Sequence, residues 1–204
     1  YTYNLRQDVY FSDGTLLTGE DIVFSLKALK NPFVDDAPLR NYYKDVEKVE
    51  LIGNNEFTVQ FTCSKVYFKH DIMIGGLTVY PHHYYDPKNI MSQYSFEEIS
   101  FLMNESLEKD ISEFENLPAN QFAQEFNSKE LGRRPMGSGP YKLVEWVTDD
   151  RLVLEQNKQY WGYKAGLTDK GYVEKMVHKT VKDHDAALIG LKAGDLDQIR
   201  NLPQ

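Results

Sequence analysis

Histidine, serine and cysteine are the residues through which this chain could do chemistry. His82 and His83 stand side by side with Asp86 close behind and His70 upstream, residue types that bind zinc or nickel. Adjacent histidines on an extended segment point to opposite sides, and no second cluster of ligands at helical or cysteine-like spacing joins them. A metal-dependent enzyme using the His70/His82/His83 region is therefore the alternative reading, and near-stoichiometric metal in the purified chain would favour it. Ser138 lies in Gly137-Ser138-Gly139. That run lacks the Gly-x-Ser-x-Gly spacing of a nucleophile elbow, and Pro140 follows where the elbow needs a helix to begin. Cys63 sits in an alternating apolar run and reads as a buried structural thiol, since a reactive one needs an electropositive, partly exposed setting.

Binding is a better use for these residues than catalysis. Gly137, Ser138 and Gly139 can let a ligand approach the backbone and can present N–H groups to it, with Tyr141 beside them; the other reading is a turn that aligns a strand. Trp146, Tyr160 and Trp161 could stack on a ligand, although aromatic side chains at strand ends also fill cores.

Net charge narrows the partners. At −8, with a pI near 5.2, the chain lacks the clustered Lys and Arg that nucleic acid or an anionic membrane demands, which leaves small molecules, peptides or proteins. With 41% hydrophobic residues among 204, one or two compact units can bury a core. A single cysteine excludes an internal disulfide. No run approaches the ~18 apolar residues of a membrane span. The chain opens at Tyr1 inside an alternating run and stops at Gln204, so it reads as a stretch cut from a longer protein, with any targeting segment outside it.

The elements that must position these residues follow from periodicity. An opening strand over residues 1–6 leads to the Asp13-Gly14 turn. Thr18-Gly19-Glu20-Asp21 then begins a helix whose apolar positions Ile22, Val23, Leu26 and Leu29 have helical spacing, and Asn31-Pro32 stops it. Period two over Val46 to Cys63, broken at Gly53-Asn54-Asn55, predicts a hairpin. An apolar stretch from Ile72 to Tyr80 runs into residues 81–87, read as a loop or short irregular helix. Residues 95–131 are read as two amphipathic helices carrying Phe96, Ile99, Phe101, Leu102, Leu107, Phe114, Leu117, Phe122 and Phe126. A second hairpin over Tyr141–Trp146 and Leu152–Glu155, a strand from Tyr172 to Val181 and a helix over residues 184–193 closed by Gly194 complete the chain, the last two as a β-α unit.

Read in order, the punctuation resembles that of family 5 extracellular solute-binding proteins, the oligopeptide-, dipeptide- and nickel-binding receptors of ABC importers. The resemblance rests on Leu5-Arg6 with Val9, Phe11-Ser12-Asp13-Gly14-Thr15, Leu17-Thr18 and Glu20-Asp21-Ile22-Val23-Phe24-Ser25. It continues through Val49, Thr58-Val59, Tyr80-Pro81 with His83 and Tyr84, Gly137-Ser138-Gly139-Pro140-Tyr141-Lys142-Leu143 and Glu145-Trp146. It ends with Leu154-Glu155, Asn157, Tyr160-Trp161-Gly162, Ala187-Leu188 and Ala193-Gly194-Asp195-Leu196-Asp197. Single tags of this kind arise by chance; their order across nearly the whole chain carries the likeness. Two departures stand out. Relatives usually have Ala where Gly19 stands, with an expected effect confined to helix propensity, and residues 90–134 look longer and more acidic than the corresponding link.

The resemblance implies an α/β fold, type II periplasmic-binding-protein-like. Residues 1–135 are expected to be a mixed α+β subdomain attached to lobe one and residues 136–204 part of the α/β ligand-binding lobe one, with the second lobe lying outside this chain. It implies a binding protein with no reaction and no cofactor, monomeric, periplasmic or lipid-anchored at the outer face of the cytoplasmic membrane. Its implied partners are a peptide ligand and the transmembrane subunits of an ABC permease, and no nucleic acid. Nickel chelate, haem and oligosaccharide are the family's other ligands. Gly137, Ser138, Gly139, Tyr141 and Trp146 are the expected ligand-contacting residues.

Overall fold

The computed structural model describes residues 1–166 and 173–199. Its first half is built around one helix, α1 (Gly19–Lys30), buried on two faces. Strand β1 (Thr2–Asn4) and the hairpin β2 (Val46–Leu51) and β3 (Thr58–Cys63) form an antiparallel sheet in the order β1-β3-β2, with Tyr3 opposite Val59 and Val49 opposite Phe61. The alternation that predicted the hairpin puts Val46, Val49, Val59 and Phe61 on one face, where they pack against Ile22, Leu26 and Leu29.

The other face of α1, with Phe24 and Ala28, meets a separate cluster containing Phe33, Tyr85, Met91, Ile99, Phe114 and Phe122. These come largely from the helical region that follows: α5 (Phe96–Glu108), a 3-10 turn at Ile111–Phe114, α6 (Pro118–Phe126) and α7 (Lys129–Gly132). Two helices were expected here and three are found. Pro118 at the first turn of α6 and the Ser128 hydroxyl, which accepts from the Leu131 N–H at 3.2 Å, restart the chain twice. Phe101 and Leu107, expected on the apolar face, are exposed; Phe101 lies two residues from buried Ile99 and so on nearly the opposite side of α5.

Short helices α2 (Ala37–Tyr42), α3 (His70–Gly75) and α4 (His82–Tyr85) connect these layers. The histidine pair thus sits on a one-turn helix, not on an extended segment. Asn31 ends α1 and is itself a clasp: its side-chain amide donates to the Ala119 carbonyl at 2.8 Å and its Oδ1 accepts from the Phe33 N–H at 3.1 Å.

Gly19 corrects an expectation. A Cβ there would lie 2.4 Å from Leu51 Cδ2 and 2.8 Å from Val59 Cγ1, and its N–H donates to the Glu56 carbonyl at 2.7 Å. The start of α1 is pressed onto the hairpin, so the residue acts through packing as well as helix propensity.

The second sheet, in the order β4-β5-β6, is antiparallel and comprises β4 (Tyr141–Val147), β5 (Arg151–Gln156) and β6 (Lys175–Lys179), with a bulge between Leu143 and Glu145. The short helix α8 (Trp161–Lys164) lies between β5 and β6. β6 is shorter than the strand expected from Tyr172 to Val181, and Tyr172 itself lies outside the described residues. The final helix α9 (His184–Ala193) begins with the Asp183 carboxylate accepting from the Ala186 N–H at 2.8 Å and ends at Gly194 with φ +83°, as its punctuation predicted. The two halves meet at a small apolar cluster of Val9, Phe11 and Leu17, against which Met136 and Trp161 pack.

Candidate functional site

Where residues 129–136 run past β4, they border an open cleft of about 800 Å3. Its position follows from local bonds. α4 places Tyr84 and Tyr85 so that the Tyr84 hydroxyl donates to the Arg134 carbonyl at 2.9 Å and the Tyr85 hydroxyl accepts from the Met136 N–H at 3.1 Å. Two tyrosines therefore pin the segment that carries Arg133 and Arg134. Burial pushes the Tyr85 phenol up, opposed by that N–H donor, so it stays protonated at neutral pH.

Opposite, β4 presents Trp146, 44% exposed, with the Arg133 guanidinium 5.9 Å from its ring centroid. Lys129, Arg133, Arg134 and Lys142 line the cleft, with Glu130 and Glu145 as its carboxylates. Both carboxylates are engaged. Glu130 lies 3.4 Å from Arg134, and Glu145 accepts from Arg151 Nη2 at 2.7 Å and Nε at 3.3 Å. Such a surface offers a cation, an aromatic face and room for a small solute.

Of the five residues expected to contact ligand, Trp146 alone lines this cleft. Gly137 sits at the seam between the halves, its carbonyl accepting from the Ser12 N–H at 3.0 Å. The loop bearing Ser138 and Gly139 is tied down by buried Asn157. The Asn157 side chain donates to the Gly139 carbonyl at 2.9 Å and its N–H donates to the Pro140 carbonyl at 2.8 Å. A Cβ at Gly137 or Gly139 would meet nothing within 4 Å and neither has positive φ, so contacts within this chain do not require glycine there. The Tyr141 hydroxyl donates to the Val173 carbonyl at 2.8 Å, across the sheet. Trp161 packs at the seam beneath the Arg6 guanidinium, 4.5 Å from its ring, and Tyr160 packs edge-on against Tyr163. Arg133, Arg134 and Tyr84 line the cleft and were not among the expected residues; the arginines stand out in the sequence as two adjacent cations in an acidic chain, just before Pro135.

The histidines hold the fold rather than converge. His82 Nδ1 lies 2.8 Å from Asp21 Oδ1, which also accepts from the His82 N–H at 3.0 Å, while Asp21 Oδ2 accepts from the Thr18 N–H at 2.9 Å. His83 Nε2 lies 2.7 Å from Asp13. Burial would raise the Asp13 carboxyl, but hydrogen bonds from Thr15 and His83 outweigh it and hold the group below the usual carboxylate range. His70 is buried beneath the rings of Tyr1 and Tyr67. Among the described residues, no three His, Cys, Asp or Glu side chains are placed to hold a metal ion, and no helix is long and apolar enough to cross a membrane.

This mixed α/β architecture is that of the periplasmic binding proteins. It superposes on NikZ from Campylobacter jejuni, solved with Ni(L-His), with a TM-score of 0.66 at 22% identity, covering 96% of this chain and 30% of that one. It also superposes on the oligopeptide-binding protein AppA from Bacillus subtilis, solved with a nonapeptide, with a TM-score of 0.63 at 22% identity, covering 96% of this chain and 31% of that one. In sequence it is 25% identical over 198 residues to the probable peptide-binding protein YejA of Agrobacterium fabrum, covering 96% of this chain and 26% of YejA. Residues 1–204 match the bacterial extracellular solute-binding proteins, family 5 (middle region), and the chain belongs to that family. It spans under a third of the length of these relatives.

Proposed function

We propose that the protein is the substrate-binding component of an ABC importer, capturing oligopeptides or dipeptides outside the cytoplasmic membrane and handing them to the transmembrane subunits of the permease. Membership of the solute-binding family over all 204 residues carries this reading, and the peptide-binding names of YejA and AppA favour peptide over other solutes. Residues 1–135 serve as the additional subdomain and residues 136–204 as part of the ligand-binding lobe, the second lobe lying elsewhere in the whole protein. The protein works at the outer face of the membrane, periplasmic or lipid-anchored. Ligand is trapped when two lobes close about a hinge, through contacts available only in the closed state. Extended peptide held by main-chain hydrogen bonds suits a receptor that must tolerate varied side chains.

A thermal-shift screen of the whole protein against short peptides, Ni(II)–histidine and oligosaccharides tests this. A ligand at one hundred times its Kd stabilises the native state by about 2.7 kcal/mol. A shift with peptides is expected; a shift confined to Ni(II)–histidine or sugar would replace the substrate class, and none at all would overturn the receptor role. This chain alone, lacking the opposing lobe, should bind peptide weakly or not at all, and a micromolar affinity by calorimetry would contradict that.

A further inference from the structure

We propose that His83 is a positioning residue for the solute cleft, acting through Asp13 to hold the part of the wall formed by Ser12 and Tyr84. This rests on the solute-receptor reading above and assigns a residue that sets how well the cleft binds without itself lining it. Asp13 follows Ser12 in the chain and His83 precedes Tyr84, and Ser12 and Tyr84 both line the cleft. The contact of His83 Nε2 with Asp13 Oδ2, at 2.7 Å, therefore ties two wall residues from distant parts of the chain to each other from behind.

From this tie, bonds run onward into the rest of the wall. The Ser12 N–H donates to the Gly137 carbonyl at 3.0 Å, and the Tyr84 hydroxyl donates to the Arg134 carbonyl at 2.9 Å. The turn that carries Ser12 is itself braced. Phe11 is fully buried, its N–H donates to the Thr15 carbonyl at 2.8 Å, and the Gly14 N–H donates to the Phe11 carbonyl at 2.9 Å. Asp13 Oδ1 accepts from the Thr15 N–H at 2.9 Å. One oxygen of this carboxylate thus stiffens the turn while the other reaches across to α4.

The surroundings of the ring set the direction of the bond. His83 Nδ1 is buried and has no hydrogen-bond partner among the described residues. A proton there would be a buried donor without an acceptor, so the ring carries its proton on Nε2 and donates to the Asp13 carboxylate. A donor to a charged acceptor makes a stronger bond than a neutral pair. The adjacent histidine supplies a contrast. His82 Nδ1 lies 2.8 Å from Asp21, yet neither His82 nor Asp21 adjoins a residue that lines the cleft. That pair braces the start of α1 and does not reach the wall.

The whole protein is compared as wild type, His83→Leu, His83→Gln, Asp13→Asn, the double variant His83→Leu/Asp13→Asn and the control His82→Leu. Deuterium uptake by mass spectrometry reads the segment containing Ser12 with no ligand present, and calorimetry with tri- to pentapeptides reads the cleft. His83→Leu is expected to speed exchange of that segment about 10-fold, with β3 unchanged, and to weaken peptide binding about 5- to 20-fold. His83→Gln, whose side-chain amide can still donate to Asp13, should restore most of both. Asp13→Asn should act like His83→Leu, and the double variant should lose no more than either alone, because one bond is removed once. Asp13 is exposed, so its variant carries the comparison if His83→Leu does not fold. His82→Leu should lower the unfolding midpoint and leave peptide affinity unchanged.

If peptides bind the wild type and bind His83→Leu and Asp13→Asn equally well, the positioning role is overturned while the receptor reading stands. The same holds if His82→Leu weakens binding as much, or if His83→Gln rescues neither exchange nor affinity. If no peptide binds the wild type, the peptide reading fails, and Ni(II)–histidine is titrated in the same way. A loss of its affinity in His83→Leu that His83→Gln repairs supports the positioning role for that solute. Binding of neither solute overturns the receptor reading and the positioning role with it.

Discussion

Residues 1–136 and residues 137–199 are stabilised in different ways. Among the described residues, every buried apolar side chain but Val153 lies before residue 124. The first region surrounds α1 with a sheet on one side and helices on the other and closes its own core. The second presents Val147 and Val177 to solvent on its sheet, and α9 buries no residue, leaving Ile189 67% exposed. A layer with apolar side chains on its open faces is built to be covered by another layer. The lesson is that burial can be divided unevenly along one chain, and that the cleft lies where the well-buried region meets the exposed one.

The sharpest way to break this comparison is to separate the regions. Expressed alone, residues 1–136 should show a cooperative urea transition by circular dichroism, and residues 137–204 should show none. Equal cooperativity in both would remove the distinction. Next in size, Phe122→Ala should cost about 3–5 kcal/mol in the chain, since Phe122 is 2% exposed and packs on Phe24 and Phe126. Chemical denaturation measures it.

Asp21→Ala should cost about 3 kcal/mol, because two backbone donors and the His82 ring lose a buried carboxylate; a loss under 1 kcal/mol would show that water replaces it. Gly19→Ala should cost about 1–2 kcal/mol through overpacking, and Leu51→Val, which removes the nearer clash, should restore part of that. A stabilising Gly19→Ala would mean that helix propensity wins. Smallest of all, Trp146→Ala on the exposed face of β4 should change the unfolding free energy by no more than about 0.5 kcal/mol while altering ligand affinity in the whole protein. A large loss of stability would place Trp146 in a core and sharpen the comparison the other way.

Much of the fold was legible. The α1 boundaries, both hairpins and the last helix with its Gly194 cap follow from periodicity and punctuation that act locally. The site was less so. Trp146 alone of the expected residues lines the cleft, whereas Gly137, Gly139 and Tyr141 bond to Ser12, Asn157 and Val173, partners in distant parts of the chain that no spacing reveals. Arg133 gains its place from the end of α7, where its N–H donates to the Lys129 and Glu130 carbonyls, and from Tyr84 and Tyr85, some fifty positions earlier in sequence, which pin residues 134 and 136.

By itself the sequence determined the bounds of α1, the two hairpins and the last helix, the acidic character of the chain, and the order of tags that belongs to one family. Those are properties of single residues and near neighbours. Only the tertiary structure decided that Gly19 is a packing contact, that Asp21 clasps His82, and that four cations gather in one cleft of an acidic molecule. Each of these depends on atoms brought together by folding, and charge and packing act through distance in space, which separation along the chain does not encode.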